Sequence, residues 1–348
     1  MANLTPEDIR TLRGENPKMR DRDFADQNGL NEAELLAAYS SIDATRIEAH
    51  PDRIIGAAQL LGEVMALTRN ASCVHEKIGV YDNYHSGGHA CMVLTPEIDL
   101  RIFPSHWRHG FLVEKETDAG MRRSLQVFDA AGDAVHKIFL RNDEHEQTWE
   151  ELKSSLAVKD QSQVLKVEPR APVEAAKSDP AKLSILRKEW TRMTDTHQFM
   201  RLTSKLKMNR LGAYRIVGAP FVRALRPEAI NQMLHKLQDS ETEVMVFVGN
   251  RGCIQIHNGL IDTLRPMGPW QNVMDPGFNL HLRLDHVAEV WAVEKPTQRG
   301  IAVSVEAFDN KGMLILQVFG VGKEGNDHRP AWGKLVETLD GLPEEVLS

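Results

Sequence analysis

The stretch VMALTRNASCVHEKIG at residues 64–79 has a counterpart, VMVFVGNRGCIQIHNG, at residues 244–259. The match continues without a gap at an offset of 180 residues, so that residues 64–140 align with 244–320 at 21 identities in 77 positions. Identity at this level over an ungapped segment indicates an internal duplication. Two like halves in one chain leave a crevice between them, and ligand sites tend to form in such places.

Each copy shows helical spacing of apolar residues first and strand-like alternation after it. Helices are predicted at residues 31–39, 53–67, 183–193, 195–207, 209–217 and 227–237. Strands are predicted from residue 70 in the first copy and from 243 to 320 in the second. The sequences FDAAGD and FDNKGM predict the same hairpin turn in both copies. The predicted class is α+β, a tandem duplication with two large, mainly antiparallel sheets flanked by helices.

The predicted domains are an N-terminal repeat at residues 1–156, a linker at 157–180 and a C-terminal repeat at 181–348. The linker is predicted because residues 157–180 are polar and contain three prolines.

Composition indicates a globular protein, with 42% hydrophobic and 26% charged residues. The net charge of −7 argues against a general nucleic-acid binder, which is usually basic. Residues 1–17 are polar and lack an apolar signal core, and no run approaches the ~18 apolar residues of a membrane span. We therefore expect a cytoplasmic protein without a membrane span. Three cysteines, an odd number, do not make a disulfide framework in a chain of this size, and the equivalent strand-like positions of Cys73 and Cys253 predict buried free thiols. The oligomeric state is not indicated.

One difference between the two copies is a histidine that only the second copy carries. The basic segment 181–226 carries eleven Lys and Arg residues against two acids, and it contains Thr194-Asp195-Thr196-His197-Gln198-Phe199. Asp195 and Gln198 have the spacing of a capping box, which places His197 in the first turn of a helix. There the helix dipole favours the neutral imidazole, the form that binds a metal. The alternative is a solvated surface histidine.

Arg101 is the second difference, since it lies within a predicted strand where the second copy has His281. It faces either solvent or the crevice. His85, His89 and Cys91, like His106 and His109, do not complete a zinc site. A helix-turn-helix at 195–217 is a further reading, which the overall acidity and the strand content disfavour.

The chain resembles the bacterial haemin-degrading or haemin-transport factors of the HemS/ChuS type. The resemblance covers nearly the whole chain and is carried by TRNASCVHEKIGVY, IDLRIF, TDTHQF, NRLGAYRIVG, VEKPTQRG and LQVFG. It implies one haem b bound between helices of the second half and the large sheets.

The resemblance also implies roles for individual residues. His197 matches the proximal iron ligand, and Arg101 matches the residue on the distal side, where it has a catalytic role. Arg210 matches a residue that pairs with a haem propionate. The remaining pocket positions implied by the family are Lys295, Gln317, Phe103, Phe247 and Phe319. Some members have tyrosine at the last of these, so its hydrogen bond is absent here.

The resemblance leaves two functions open. The first is an enzyme that degrades haem oxidatively and releases iron, with an external reductant of unknown identity. The second is a carrier that delivers haem to a downstream protein. The expected partners are haem and either a haem-uptake transporter or a haem acceptor protein, and no nucleic acid. His75 is a weaker candidate for a second haem site in the first copy, where the second copy has Gln255.

Overall fold

A computed structural model describes residues 4–118, 120–142, 144–323 and 325–343. It confirms the α+β class with two large, mainly antiparallel sheets. The helices are α1 Pro6–Glu15, α2 Asp21–Gln27, α3 Glu32–Ala37, α4 Pro51–Gln59, α5 Glu146–Leu156, α6 Leu183–Thr191, α7 Gln198–Lys205, α8 Arg210–Val217, α9 Ala229–Gln238 and α10 Arg329–Glu337.

Strands of the first copy are β1 Ala44–Ile47, β2 Val64–Arg69, β3 Cys73–Gly79, β4 Tyr84–His85, β5 Cys91–Leu94, β6 Asp99–Ile102, β7 His109–Thr117, β8 Gly120–Phe128 and β9 Ala134–Leu140. Those of the second are β10 Val222–Leu225, β11 Val244–Gly249, β12 Cys253–Gly259, β13 Leu264–Met267, β14 Trp270–Asp275, β15 Phe278–Arg283, β16 Glu289–Thr297, β17 Gly300–Phe308, β18 Leu314–Gly320, β19 Gly322–Lys323 and β20 Asn326–Asp327.

One helix prediction is partly wrong. The apolar spacing at 53–67 predicts one helix, but α4 ends at Gln59 and β2 begins at Val64. Gly62 lies between them with φ of 61°, a left-handed conformation that glycine adopts without the Cβ clash. The remaining predicted helices are present, with ends shifted by at most three residues.

The chain forms two compact units. Unit 1 consists of the residues up to Arg69 together with His75–Ala171 and Gly249–Gln255. Unit 2 consists of Asn70–Val74, Pro172–Val248 and the residues from Ile256 onward. Each unit therefore includes a short segment from the other half of the sequence, and the two segments occupy equivalent positions in the duplication. The predicted boundaries of the two repeats and the linker stay a prediction.

In unit 1, strands follow one another across an antiparallel sheet in the order β1-β7-β8-β9-β2. Helices α4 and α5 cover one face of this sheet, where Ile54 and Trp149 pack with Val64 and Leu125. Helix α3 covers the other face. Strands β4, β5 and β6 form a further antiparallel run.

Unit 2 repeats this plan with the order β10-β16-β17-β18-β11. Helices α9 and α10 cover one face, where Met233 and Trp332 pack with Val246 and Val318. Helices α6, α7 and α8 pack on the opposite face around Trp190, against Trp291, Val293 and Phe308 of the strands.

The predicted hairpin turn is present twice. Gly132 between β8 and β9 and Gly312 between β17 and β18 have positive φ of 79° and 85°. Asp129 and Asp309 accept backbone amides across these turns. The pairing also shifts at the same place, before Phe128 and before Phe308. Shared irregularities of this kind confirm the duplication.

The cysteines agree with the sequence prediction, since Cys73, Cys91 and Cys253 are buried free thiols. Among the described residues, no helix is long and apolar enough to cross a bilayer.

Candidate functional site

His197 lies immediately before the first residue of α7, and its side chain is 94% exposed. Asp195 Oδ1 accepts hydrogen bonds from the His197 backbone amide at 2.8 Å and from ring Nδ1 at 2.7 Å. A carboxylate only accepts, so Nδ1 carries the proton, and in the neutral ring Nε2 holds the lone pair that a metal requires. These hydrogen bonds lower the pKa of Asp195 below its usual value.

The predicted capping box is wrong in its pairing. The Asp195 side chain accepts from the backbone amide of His197, where a capping box would pair it with Gln198. Gln198 Oε1 accepts from the backbone amide of Thr194, where a capping box would pair it with Asp195. The reason is the tight turn that leads into α7, in which the Gln198 amide donates to the Asp195 carbonyl. Asp side chains favour such short-range contacts in turns. As a result His197 is held in place just outside the helix.

The start of α8 is fixed by Asn209 and Gly212. Asn209 Oδ1 accepts from the amides of Gly212 and Lys177, both at 2.9 Å. A Cβ at Gly212 would lie only 2.0 Å from the Lys177 carbonyl oxygen, so only glycine fits at this close approach. This arrangement places Arg210 at the first position of α8.

Below α7 and α8 lies a buried charged cluster. Glu306 on β17 is fully buried, and Lys295 on β16 is 2% exposed. Lys295 Nζ donates to Glu306 Oε1 at 2.9 Å, and Arg210 Nη1 donates to Glu306 Oε2 at 2.8 Å. Tyr214 of α8 donates to Glu306 Oε2 at 2.9 Å and accepts from Lys295 Nζ at 3.0 Å. Lys295 is therefore directed toward Glu306 and Tyr214.

The charge states of this cluster follow from burial and from its ion pairs. Burial alone would raise the pKa of Glu306, but Lys295 and Arg210 outweigh it and hold that pKa well below the usual range. Burial lowers the pKa of Lys295 to about 8, although Glu306 opposes this. Burial and the Glu306 charge raise the pKa of Tyr214. At pH 7 the cluster therefore holds two cations and one anion, a net charge of +1.

Aromatic rings cover the cluster from the helix side. Phe199 of α7 stacks on Tyr214 with ring centroids 5.5 Å apart. Lys295 Nζ lies 4.9 Å from the Phe199 centroid, and the Arg210 guanidinium lies 6.0 Å from it. Cations at such distances are attracted to the ring face. Phe199 therefore links the helix that follows His197 to the charged residues on the sheet.

The sheet face that carries Glu306 continues onto β18 and β11, where the side chains are only half-buried. Glu306, Gln317 and Phe247 are direct register partners across β17, β18 and β11. Directly paired residues of antiparallel strands point to one side of the sheet. Gln317, Phe247 and Phe319 are half-buried, and the two phenylalanine rings meet edge to face at 5.5 Å. We call this side of unit 2, with its cluster and its aromatic pair, the site face.

Arg101 and Phe103 belong to unit 1. Arg101 lies on β6 as predicted, is half-buried, and its Nη1 pairs with Asp99. Phe103 follows β6, is half-buried, and its amide donates to the Gly252 carbonyl at 3.0 Å. His75 on β3 is fully buried and does not reach the surface. The haem-related roles predicted for these residues stay predictions.

Unit 1 has a different arrangement on the face that corresponds to the site face. There Lys137 takes the position of Gln317, and Lys137 Nζ donates to Glu32 of α3 at 2.5 Å. Arg69 also pairs with Glu32. Lys137 and Arg69 outweigh burial and lower the pKa of Glu32 to about 2. In unit 1 this ion cluster covers the part of the sheet face whose counterpart in unit 2 is only half-buried.

Sequence reasoning missed Glu306, Tyr214 and the contact between Asp195 and His197. One signal was available, because Glu306 aligns with the uncharged Gln126 of the first copy. The groove along α6 and α7 was not predicted either; exposed Arg192, Arg201 and Lys205 are part of its lining. Within the described residues, no group of three or more His, Cys, Asp or Glu side chains is arranged to hold a metal ion.

Comparison with known proteins gives consistent matches. The chain matches the family model described as the haemin-degrading HemS.ChuX domain at residues 29–156 and 207–339, one segment in each copy. The hemin transport protein HemS of Yersinia enterocolitica is 36% identical, with 98% of each chain covered. Holo-PhuS, a heme-binding protein from Pseudomonas aeruginosa, is 39% identical with a TM-score of 0.92, covering 97% of this chain and 100% of that one. The Escherichia coli O157:H7 heme degrading enzyme ChuS is 33% identical with a TM-score of 0.87 at the same coverage.

Proposed function

Since the chain belongs to the haemin-degrading HemS.ChuX domain family, we propose that it binds one haem b on the site face of unit 2 and degrades it oxidatively, releasing iron for a bacterial cell. The observation that carries the proposal is the exposed imidazole of His197, whose Nδ1 is committed to Asp195 and whose Nε2 is available to iron. The working compartment that we propose is the cytoplasm.

The residues of the site face fit the chemistry of haem. Haem is a flat apolar disc with an iron at its centre and two carboxylates at one edge, so its site needs an iron ligand, apolar walls and a cation. His197 would supply the ligand, and Phe247 and Phe319 would supply the wall. Arg210 would supply the cation, because its side chain is 21% exposed and belongs to a cluster of net charge +1.

Bound haem supplies the redox-active iron and is also the substrate, with O₂ and an external reductant as co-reactants. The protein then has to bind, orient and shield it. Asp195 Oδ1 orients the His197 ring by accepting from Nδ1, and the His197 backbone amide, which donates to the same oxygen, holds the Asp195 carboxylate in place. An outer carboxylate of this kind orients a ligating imidazole and raises its basicity. In this proposal Arg101 is the donor that assists oxygen chemistry, as the family resemblance implies.

The decisive experiment is an anaerobic titration with haem, followed by O₂ and a reductant in the presence of catalase. We expect one haem per chain, then loss of the Soret band and release of one tetrapyrrole product per haem. Catalase is required because free peroxide degrades bound haem without an enzyme. Haem that stays intact and passes to an apo-acceptor would identify a carrier instead. Failure to bind haem would refute both functions.

The ligand assignment is tested by His197→Ala. This variant should bind haem more weakly and should shift the Soret and charge-transfer bands, since the iron loses its imidazole. The matched control is His235→Ala, which removes another exposed histidine of unit 2, on α9. Identical spectra and affinity in both variants would remove His197 from the ligand role.

A further inference from the structure

We infer that Glu306 is a positioning residue for ligand recognition: its carboxylate fixes the Arg210 guanidinium so that Nη2 is presented to a carboxylate at the edge of the ligand. The inference rests on the proposed function and extends it to a residue that does not itself touch the ligand. Glu306 is fully buried, and Arg210 Nη1 donates to its Oε2 at 2.8 Å.

Glu306 is held from four directions. Its Oε2 accepts from Arg210 and from the Tyr214 hydroxyl, and its Oε1 accepts from Lys295 Nζ and from Ser304 Oγ, all at 2.8–2.9 Å. Two donors on each oxygen fix the plane of the carboxylate, since a rotation moves both oxygens and disturbs all four hydrogen bonds. A buried anion fixed in this way determines where its partner guanidinium lies.

Arg210 is the member of the cluster that reaches solvent. Its side chain is 21% exposed, against 3% for Lys295 and 0% for Glu306. While Nη1 is bound to Glu306, Nη2 donates to the Met200 sulfur at 3.5 Å, which is a weak acceptor. The planar guanidinium can therefore keep Glu306 on one nitrogen and exchange the thioether for a ligand carboxylate on the other.

The first copy of the duplication supports a special role for Glu306. The aligned position is Gln126, whose Nε2 donates to Ser124 Oγ at 3.0 Å. The lysine aligned with Lys295 is Lys115, which is 46% exposed and pairs with Asp21. The ion network around Glu306 is thus not repeated at the aligned positions Gln126 and Lys115 of the first copy, although the serine on the same strand is present in both copies.

The test compares two ligands, ferric protohaemin and its dimethyl ester, which lacks free carboxylates. We expect wild-type protein to prefer the free acid. Glu306→Gln should weaken binding of the free acid about tenfold and leave binding of the ester unchanged, because Arg210 loses its fixed orientation. Adding Glu306→Gln to Arg210→Ala should produce no further change in the acid-to-ester affinity ratio.

Two other outcomes would overturn the inference. Glu306→Gln removes a negative charge beside Arg210, so a carboxylate that acts only through its charge would give free-acid binding as tight as in wild type or tighter. Equal weakening of acid and ester would indicate a purely structural role. Glu306→Asp keeps the charge and shortens the side chain, and it serves as the test if Glu306→Gln does not fold. A wild-type acid-to-ester ratio in Glu306→Asp would refute positioning.

Controls separate this inference from the proposed function. Glu289→Gln removes a carboxylate of unit 2 that pairs with Arg215 near the surface, and it should leave the ratio unchanged. If wild-type protein binds neither porphyrin, the proposed function fails. If it binds the free acid in preference to the ester and Glu306→Gln retains that preference, the function stands and the positioning role is wrong.

Discussion

The ion cluster of unit 1 leads to a prediction about acid stability. Glu32 is 8% exposed and pairs with Lys137 and Arg69. These partners lower its pKa from the ordinary value of 4.5 to about 2. A difference of 2.5 pKa units between the folded and unfolded states corresponds to about 3 kcal/mol of stability at neutral pH, at about 1.4 kcal/mol per unit.

The sign follows from the direction of the shift. Because the pKa is lowered on folding, the contribution is fully present above pH 4.5 and is lost as the pH falls through 4.5 to about 2. Glu32→Gln should therefore destabilise the protein by about 3 kcal/mol at pH 7. Its deficit relative to wild type should shrink by about 1.4 kcal/mol for each pH unit below 4.5.

Urea denaturation at pH 7.0, 5.0, 4.0 and 3.5 would measure this deficit, and hydrogen exchange of the β9 amides would assign it to unit 1. The matched control is Glu63→Gln, because Glu63 is 59% exposed and pairs with Arg141 on the surface. The control should change the free energy of unfolding by less than about 1 kcal/mol. A deficit for Glu32→Gln that stays constant from pH 7 to 3.5 would refute the reasoning.

Three further predictions concern other parts of the chain. Arg101→Ala should retain haem but slow its O₂-dependent loss in single-turnover absorbance measurements; an unchanged rate would end its distal assignment. Ellman's reagent at pH 8 should label the native protein slowly and three thiols in denaturant, because the cysteines are buried and the pKa of Cys253 is raised to about 12; rapid labelling of the native state would contradict this. Trp332→Ala should cost about 3–5 kcal/mol in urea unfolding, since the ring is 1% exposed in the core of unit 2, and a loss below 1 kcal/mol would contradict that packing.

The sequence was sufficient for the fold class because the duplication repeats the same alternation and the same turns. It could not separate the end of α4 from the start of β2, because Val64-Met65-Ala66-Leu67 continues the helical spacing of apolar residues across Gly62. It placed Arg101 correctly within a strand, but it placed His197 in the first turn of a helix that begins one residue later, at Gln198. The Glu306 cluster was not predictable, since Arg210 and Glu306 are 96 residues apart and meet only through strand register and the packing of α8.

The segments Asn70–Val74 and Gly249–Gln255 determine when each unit can be completed during synthesis. Unit 1 needs the Gly252 carbonyl, which accepts from the Trp107 indole at 3.0 Å, and it needs Cys253 in its core. Ribosomes make the chain from the N-terminus, so the first unit lacks these groups until residue 255 has emerged, long after its own strands are available. Expression of residues 1–171 alone would leave that indole without its acceptor and that core with a vacancy. Neither half of the sequence therefore supplies by itself all the residues of its compact unit.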